Sequence, residues 1–583
     1  MDTHDIGDAA WGEVTTPPRE WRSGMWRLEL RDDELADIRY DGRLVLRSIR
    51  GVARDRDWGT IAPRVVGVDA DGARLTVDVD VVGRDADLSA RLVVEARDDT
   101  LGVSWECHVN QPFLRARLGL VVLHPPTVAG DALQVTHPDG SVEASIFPLE
   151  ISAHQPAFEI SGLHWQHEGV TTRMEFAGDV FEMEDQRNWT DASFKTYSTP
   201  LALPFPVRVD SGTTIVQRIE ITCSADAAAA PHDEGDRIRL SETGRTVPSI
   251  GTSASTGPET PPAATLGDTL LVELPAHTLA WRAALDRAVA EAAGLPLDVR
   301  IVASDEEQVD EVLAAVAPLR LARIGVFSST THVSEPALWR RLIDGLDARR
   351  LSIPTVGGTR GHFTELNRTL HVLPDEIPAH TFSVTPQMHA TGREQIVESV
   401  AMMRLVAENA VRMTGTPVHI GPVTLRPRFN AVATTPTPDA QINDLSAGYN
   451  AAVTDDATDV RQSSAALTAW TVASAAALAV EGVESISWFE HSGPRGLRDA
   501  DGTPFPVATA LEWLAAIAGS PLLSADQTPA GLWAIGADSD GSHTVLVANL
   551  RPLPATVTVS TTAGEVVMAV PGFSAGRVVV DDR

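Results

Sequence analysis

The chain has 583 residues, enough at about 150 per domain for three or four domains. Its 79 acidic and 47 basic residues give a formal charge of -32, a surface that repels phosphate backbones and anionic bilayers and so excludes nucleic acid and membranes as partners. No apolar run reaches the roughly 18 residues that span a bilayer, the acidic start MDTHDIGDAAWGEV lacks the parts of a secretory signal, and two cysteines, Cys107 and Cys223, make neither a disulfide framework nor a metal knuckle.

The expectation is a cytoplasmic, multidomain protein of mixed α/β and β type. Residues 1–240 read as a large β-sandwich. Short alternating runs such as Trp26-Arg27-Leu28-Glu29-Leu30 and Leu75-Thr76-Val77-Asp78-Val79 recur between turn dipeptides such as Asp41-Gly42 and Asp71-Gly72. So many strands need two stacked sheets to bury their inner faces. A Ser/Thr/Gly/Pro-rich stretch at 241–263 then marks a boundary.

From 241 to 520 the pattern is strand–helix alternation. Strands are expected at 247–254, 269–276, 297–304, 321–328, 352–359, 379–386, 417–424 and 484–491. Amphipathic helices at 281–294, 305–318, 335–349, 392–414 and 463–481 lie between them. Eight such units match a TIM-like (β/α)8 barrel, whose active site lies at the carboxyl ends of the strands. Residues 521–583 return to five short strands and read as a small C-terminal β-sandwich.

Several hydrolase signatures are missing. There is no G-x-S-x-G elbow, no H-E-x-x-H, no Walker loop and no G-x-G-x-x-G after a strand. Polar clusters at the strand ends stand in their place. Gly357-Gly358 is followed by Glu365 and Asn367, the sixth strand by His389, the seventh by Arg426, Arg428 and Asn430, and the eighth ends at Glu490. Glu365 and Glu490 form a candidate carboxylate pair across the mouth, as acid/base work on sugars requires.

The densest cluster lies in the sandwich, EMEDQRNWTDASFKTY at 182–197. It contains Lys195, the single Lys of the chain, and Tyr197, one of three Tyr. On a strand Ser193, Lys195 and Tyr197 share one face and Phe194 takes the other. Glu184, Asp185, Arg187, Asn188 and Trp189 offer the donors, acceptors and ring face that grip a polyol.

At this motif the chain resembles the D-apionate lactonase family. The resemblance continues through ELNR (365–368), PQMH (386–389), LRPRFN (425–430), Asp459-x-Arg461-Gln462 and FEHSGPRG (489–496). Departures are Met388, where the family pattern has Val, the turn Ala390-Thr391-Gly392, where it has an Asp, and His491, where it has Thr. The resemblance implies hydrolysis of D-apionolactone to D-apionate by a β domain, a barrel and a second β domain. It supplies no nucleophile, so roles follow from chemistry. Glu490 or Glu365 would be the base for direct water attack, and the other carboxyl or His389 would protonate the leaving alkoxide. Lys195 or one of Arg426 and Arg428 would hold the oxyanion. Two rivals remain: a glycoside hydrolase using Glu365 and Glu490, and a non-catalytic carbohydrate-binding protein. No cofactor is evident. A divalent ion held from several strands leaves little spacing signature and stays open, as does the oligomeric state.

Overall fold

In the computed structural model, which describes residues 3–12, 18–226, 235–264, 266–432 and 441–581, two nine-stranded antiparallel sheets build the N-terminal unit. Strict alternation along strands such as Arg74–Gly83 and Ala86–Arg97 turns every second side chain inward, and the two inner faces share one core. The Asp41-Gly42 turn joins its strands as expected. Both residues have positive φ, the geometry that matches strand twist in a two-residue hairpin. Cys107 and Cys223 are free and buried in this core, where burial pushes both thiols up to about 12.

One element of this region is not β. Residues Thr3–Gly12 form a helix, and its Trp11 joins the barrel core instead of the sandwich. Its Asp8 accepts hydrogen bonds from Ser464 Oγ (2.8 Å) and Ala465 N (2.7 Å), which ties it to the segment just before the barrel helix Ala466–Leu478.

The barrel strands are Ser249–Ser253, Thr269–Pro275, Leu297–Ala303, Leu321–Ser328, Gly357–His362, His380–Val384, Val418–Val423 and Val483–Glu490. Their ladder runs 4-3-2-1-8-7-6-5, all parallel. A bridge between Ile324 and Thr355 brings the fourth strand to the fifth. Strands two and three are buried along their whole length, as a sheet covered on both faces demands. The fifth strand starts five residues later than expected, because Gly357 and Gly358 belong to its ladder and do not end it.

The chain crosses to the C-terminal unit before it enters the barrel. Arg237–Arg239 pairs with Ala555–Thr561, and Ser241–Thr246 pairs with Pro521–Ser524. The composition change at 241 thus coincides with strands of the last unit. The Ala-rich helix Ala466–Leu478 is buried almost throughout, lying between the barrel and this C-terminal sheet. No helix among the described residues is long and apolar enough to cross a membrane.

Candidate active site

The carboxyl ends of strands one, two, seven and eight surround a cavity that Ser253, Glu273, Arg428 and Glu490 line. Glu273 stands near the end of the second strand. It accepts from Arg360 Nη2 of the fifth strand (2.9 Å) and from Arg428 Nη1 beyond the seventh (2.5 Å). Burial opposes its charge, but the two guanidinium groups outweigh burial and hold it at about 2. Glu490 ends the eighth strand and is also fully occupied. Thr256 donates from N (3.1 Å) and Oγ1 (2.6 Å), and Arg495 from Nε (2.8 Å). Asp459, on the third wall, binds Arg461, Arg426 Nε (3.1 Å) and Gln387 Nε2 (2.9 Å). The cavity is therefore lined by fixed ion pairs, each charge held at a set position.

Gln387 leads to a second cluster, where the sandwich meets the barrel. Thr190 Oγ1 donates to the Thr385 carbonyl (2.7 Å), just past the sixth strand. Two residues beyond Gln387, His389 Nδ1 lies 2.5 Å from Asp191 Oδ2. Asp191 is itself held through Oδ1 by Gln395 Nε2 (2.6 Å). Burial pulls His389 below the ordinary imidazole range, against the pull of Asp191. A neutral ring that gives its Nδ1 proton to Asp191 keeps Nε2 as an acceptor, and among the described residues Nε2 has no hydrogen-bond partner.

The sandwich side of this cluster is a strand pair. Glu184 in Phe181–Asp185 lies opposite Lys195 in Phe194–Tyr197, so both point to one face, and Nζ meets Oε2 at 2.5 Å. Lys195 and Tyr197 share that face, with Nζ 4.8 Å from the ring centre, while Phe194 enters the core. Burial disfavours the Glu184 charge, yet Lys195, His389 and Arg368 bring it to about 2. From the barrel, Arg368 reaches Glu184 Oε1 at 3.8 Å and covers the Trp189 ring at 4.9 Å. The Trp189 ring meets the His389 ring edge-on at 5.3 Å.

Glu365 stands in the first turn of the helix Phe363–Thr369. Its Oε2 accepts from His362 N (2.6 Å), which closes a capping box. Burial lifts this carboxyl to about 7. The cavity that Glu490 lines has Glu273 as its other glutamate, so the expected Glu365/Glu490 pair does not share that cavity.

Other expected substrate ligands serve the fold. Arg187 and Asp185 form a bidentate pair (2.6 and 2.8 Å), with side chains 1% and 0% exposed. Arg187 also donates to the Pro148 carbonyl and covers the Phe194 ring. Asn188 donates to the carbonyls of Ser152 and Asp185 and accepts from Asn367 Nδ2 (2.9 Å). Asn430 Nδ2 donates to the Asp57 carbonyl (3.2 Å). Amides and charges that are saturated in this way have little left for a hydroxyl; the Asn188–Asn367 and Asn430–Asp57 contacts join sandwich to barrel. The sequence reading missed Glu273, Arg360 and Asp191. Asp191 was within reach, since it lies inside the singled-out motif. Glu273 left only a lone acid in the apolar run TLLVELP. Among the described residues, no three His, Cys, Asp or Glu side chains are grouped to hold a metal ion.

Fold and site together define a (β/α)8-barrel protein whose mouth is shared with a large β-sandwich and holds a cavity lined by charged pairs. The chain belongs to the D-apionate lactonase family. The family's N-terminal domain matches residues 6–226 and its TIM barrel domain residues 262–519. A D-apionate lactonase of Brucella anthropi is 28% identical over 556 residues, 87% of this chain and 89% of that protein. Among solved structures, a β-arabinopyranosidase aligns with 96% of this chain and 99% of its own, at 9% identity and a TM-score of 0.32. SrfJ of Salmonella typhimurium aligns with 66% of this chain and 98% of its own, at 9% identity and 0.39.

Proposed function

We propose that this chain hydrolyses a sugar-acid lactone, with D-apionolactone opened to D-apionate as the leading substrate, where the sandwich meets the barrel mouth. Family membership supports the substrate class. The observation that carries the site is the His389–Asp191 contact of 2.5 Å with Nε2 left open. Asp191 fixes the tautomer and supports the imidazolium that forms when Nε2 takes a proton from water. The hydroxide so generated adds to the lactone carbonyl. Lys195, held by Glu184, supplies positive charge for the tetrahedral oxyanion. Collapse breaks the ring C–O bond, and Glu365, protonated up to about pH 7, gives its proton to the departing alkoxide. Lactone and water become a hydroxy acid, with no covalent enzyme intermediate.

The roles differ from the starting expectation in one respect. Glu490, with both oxygens committed to Thr256 and Arg495, acts here as an anchor of the cavity wall and not as a base. The test is acid release from D-apionolactone beside other aldonolactones and nitrophenyl glycosides, with and without chelator. Acid from the apiose-derived lactone is the expected result. Activity on glycosides alone would overturn the reading.

A further inference from the structure

The outer face of the sandwich holds an arginine that no carboxylate among the described residues meets in a hydrogen bond. Arg54, in the strand Arg43–Asp55, lies directly opposite Arg117, in Phe113–His124. Like charges so placed repel and persist only where something else favours them. Arg117 is stacked on the Trp58 ring at 4.7 Å and donates Nη1 to its neighbour's carbonyl, Ala116 O (2.7 Å). Its Nε and Nη2 are buried without hydrogen bonds. Arg54 makes no side-chain hydrogen bond or ion pair among the described residues, and burial lowers its pKa. Glu182, Glu184 and Asp191 are the carboxylates that act on these arginines. Glu182 already accepts from Tyr197 and from Leu201 N (2.6 Å), and Glu184 is held by Lys195. Asp191 is held by His389 and Gln395, so all three carboxylates have partners other than Arg54, whose guanidinium has no hydrogen-bonded counter-ion among the described residues.

The face also looks onto the reacting groups. Arg54 interacts electrostatically with Glu184, Asp191, Lys195 and His389. The loop that follows it is pinned to the barrel by Asn430. In a chain of net charge -32, an arginine beside the candidate base with no carboxylate among the described residues hydrogen-bonded to it is contrary to the average surface and suits an anionic ligand.

We propose that Arg54, backed by Arg117 and flanked by Lys195, is a carboxylate subsite that binds the open-chain sugar acid. The inference rests on the lactone-hydrolase reading and deepens it. An uncharged lactone has no use for a free guanidinium, whereas ring opening creates a carboxylate that Arg54 can take in bidentate fashion. The subsite therefore favours the product side and makes the sugar acid a competitive inhibitor.

The test is calorimetric binding of sodium D-erythronate and of erythritol, its neutral counterpart, to the full-length protein. Arg54→Gln should weaken erythronate by roughly tenfold or more, the scale of a charged hydrogen bond, and leave erythritol unchanged. Arg54→Lys should fall between, since it keeps the charge and loses the fork. Arg56→Gln, at an exposed neighbour, should match wild type. Equal erythronate affinity in wild type and Arg54→Gln, or no erythronate binding by wild type, overturns the subsite. Lactone hydrolysis is measured separately. A wild-type protein that binds erythronate through Arg54 but releases acid from no aldonolactone sinks the hydrolase reading and upholds the subsite.

Discussion

His389 Nδ1 and Asp191 Oδ2 lie 2.5 Å apart, although one belongs to the barrel and the other to the sandwich. The contact makes the proposed base a product of domain docking. Asp191→Asn presents an amide to Nδ1 and releases the tautomer, so kcat should fall on the order of 10² to 10⁴ with little change in KM. His389→Gln should cost about as much, and the double variant little more, because the two act as one unit. Lactone kinetics on the three variants decide it. Additive losses would mean independent roles.

Glu365 gives a pH signature. Burial raises its pKa to about 7 in the folded chain, against about 4.3 unfolded. The folded state therefore holds more protons between these values, so stability falls as pH rises from about 4.3 to 7 and is flat above. Glu365→Gln keeps the cap and removes this penalty, worth about 2 kcal/mol after allowing for partial exposure. The melting temperature of the variant should overtake wild type between pH 5 and 8, while its alkaline loss of kcat disappears along with most activity. Glu291, raised to about 7 by burial against Ser255, is the control: Glu291→Gln should reproduce the stability effect and keep the alkaline limb.

Much of the fold was legible because periodicity survives where one face is buried. The eight barrel strands stand near their expected positions, since largely apolar runs such as TLLVELP have no other packing partner in an α/β chain. The helix Thr3–Gly12 was not legible: ten residues with one buried Trp give little period, and the docking partner lies more than 450 residues away. Nor could composition reveal that Arg237–Thr246 pairs with the last unit, because register is set by a distant strand. The site divides in the same way. The clusters were visible, but whether Arg187 grips a sugar or Asp185 depends on desolvation, which only the packed structure sets.

Glu273 holds both Arg360 and Arg428. Glu273→Gln leaves two buried guanidinium groups without their counter-charge, and losing one partner of a buried pair costs about 3–5 kcal/mol. The melting temperature should drop accordingly. Glu273 and Glu184, both at about 2, also set the acid limit. Their pKa values lie below the unfolded value, so their contribution is whole above about pH 4.3 and is lost as pH falls toward 2. Acid melts of Glu273→Gln should therefore run closer to its neutral melt than those of wild type.

Gly358 is the sharpest test of the barrel geometry. Its φ is +110°, and a Cβ there would lie 2.7 Å from the Thr381 carbonyl of the neighbouring strand. Backbone cannot yield as a flexible side chain does, so Gly358→Ala combines a clash with a dihedral that L residues avoid. A loss of about 3 kcal/mol or more is expected. Because Glu365 and His362 follow directly on this strand, the same change should shift the capping box and lower kcat in whatever fraction stays folded. Gly415, with φ +64° and open space around it, separates the two effects: Gly415→Ala carries only the dihedral cost of about 1 kcal/mol. Urea melts of the two variants measure the difference. Equal losses would mean that the strands around Gly358 can move apart, and that the spacing of the mouth is softer than its hydrogen bonds imply.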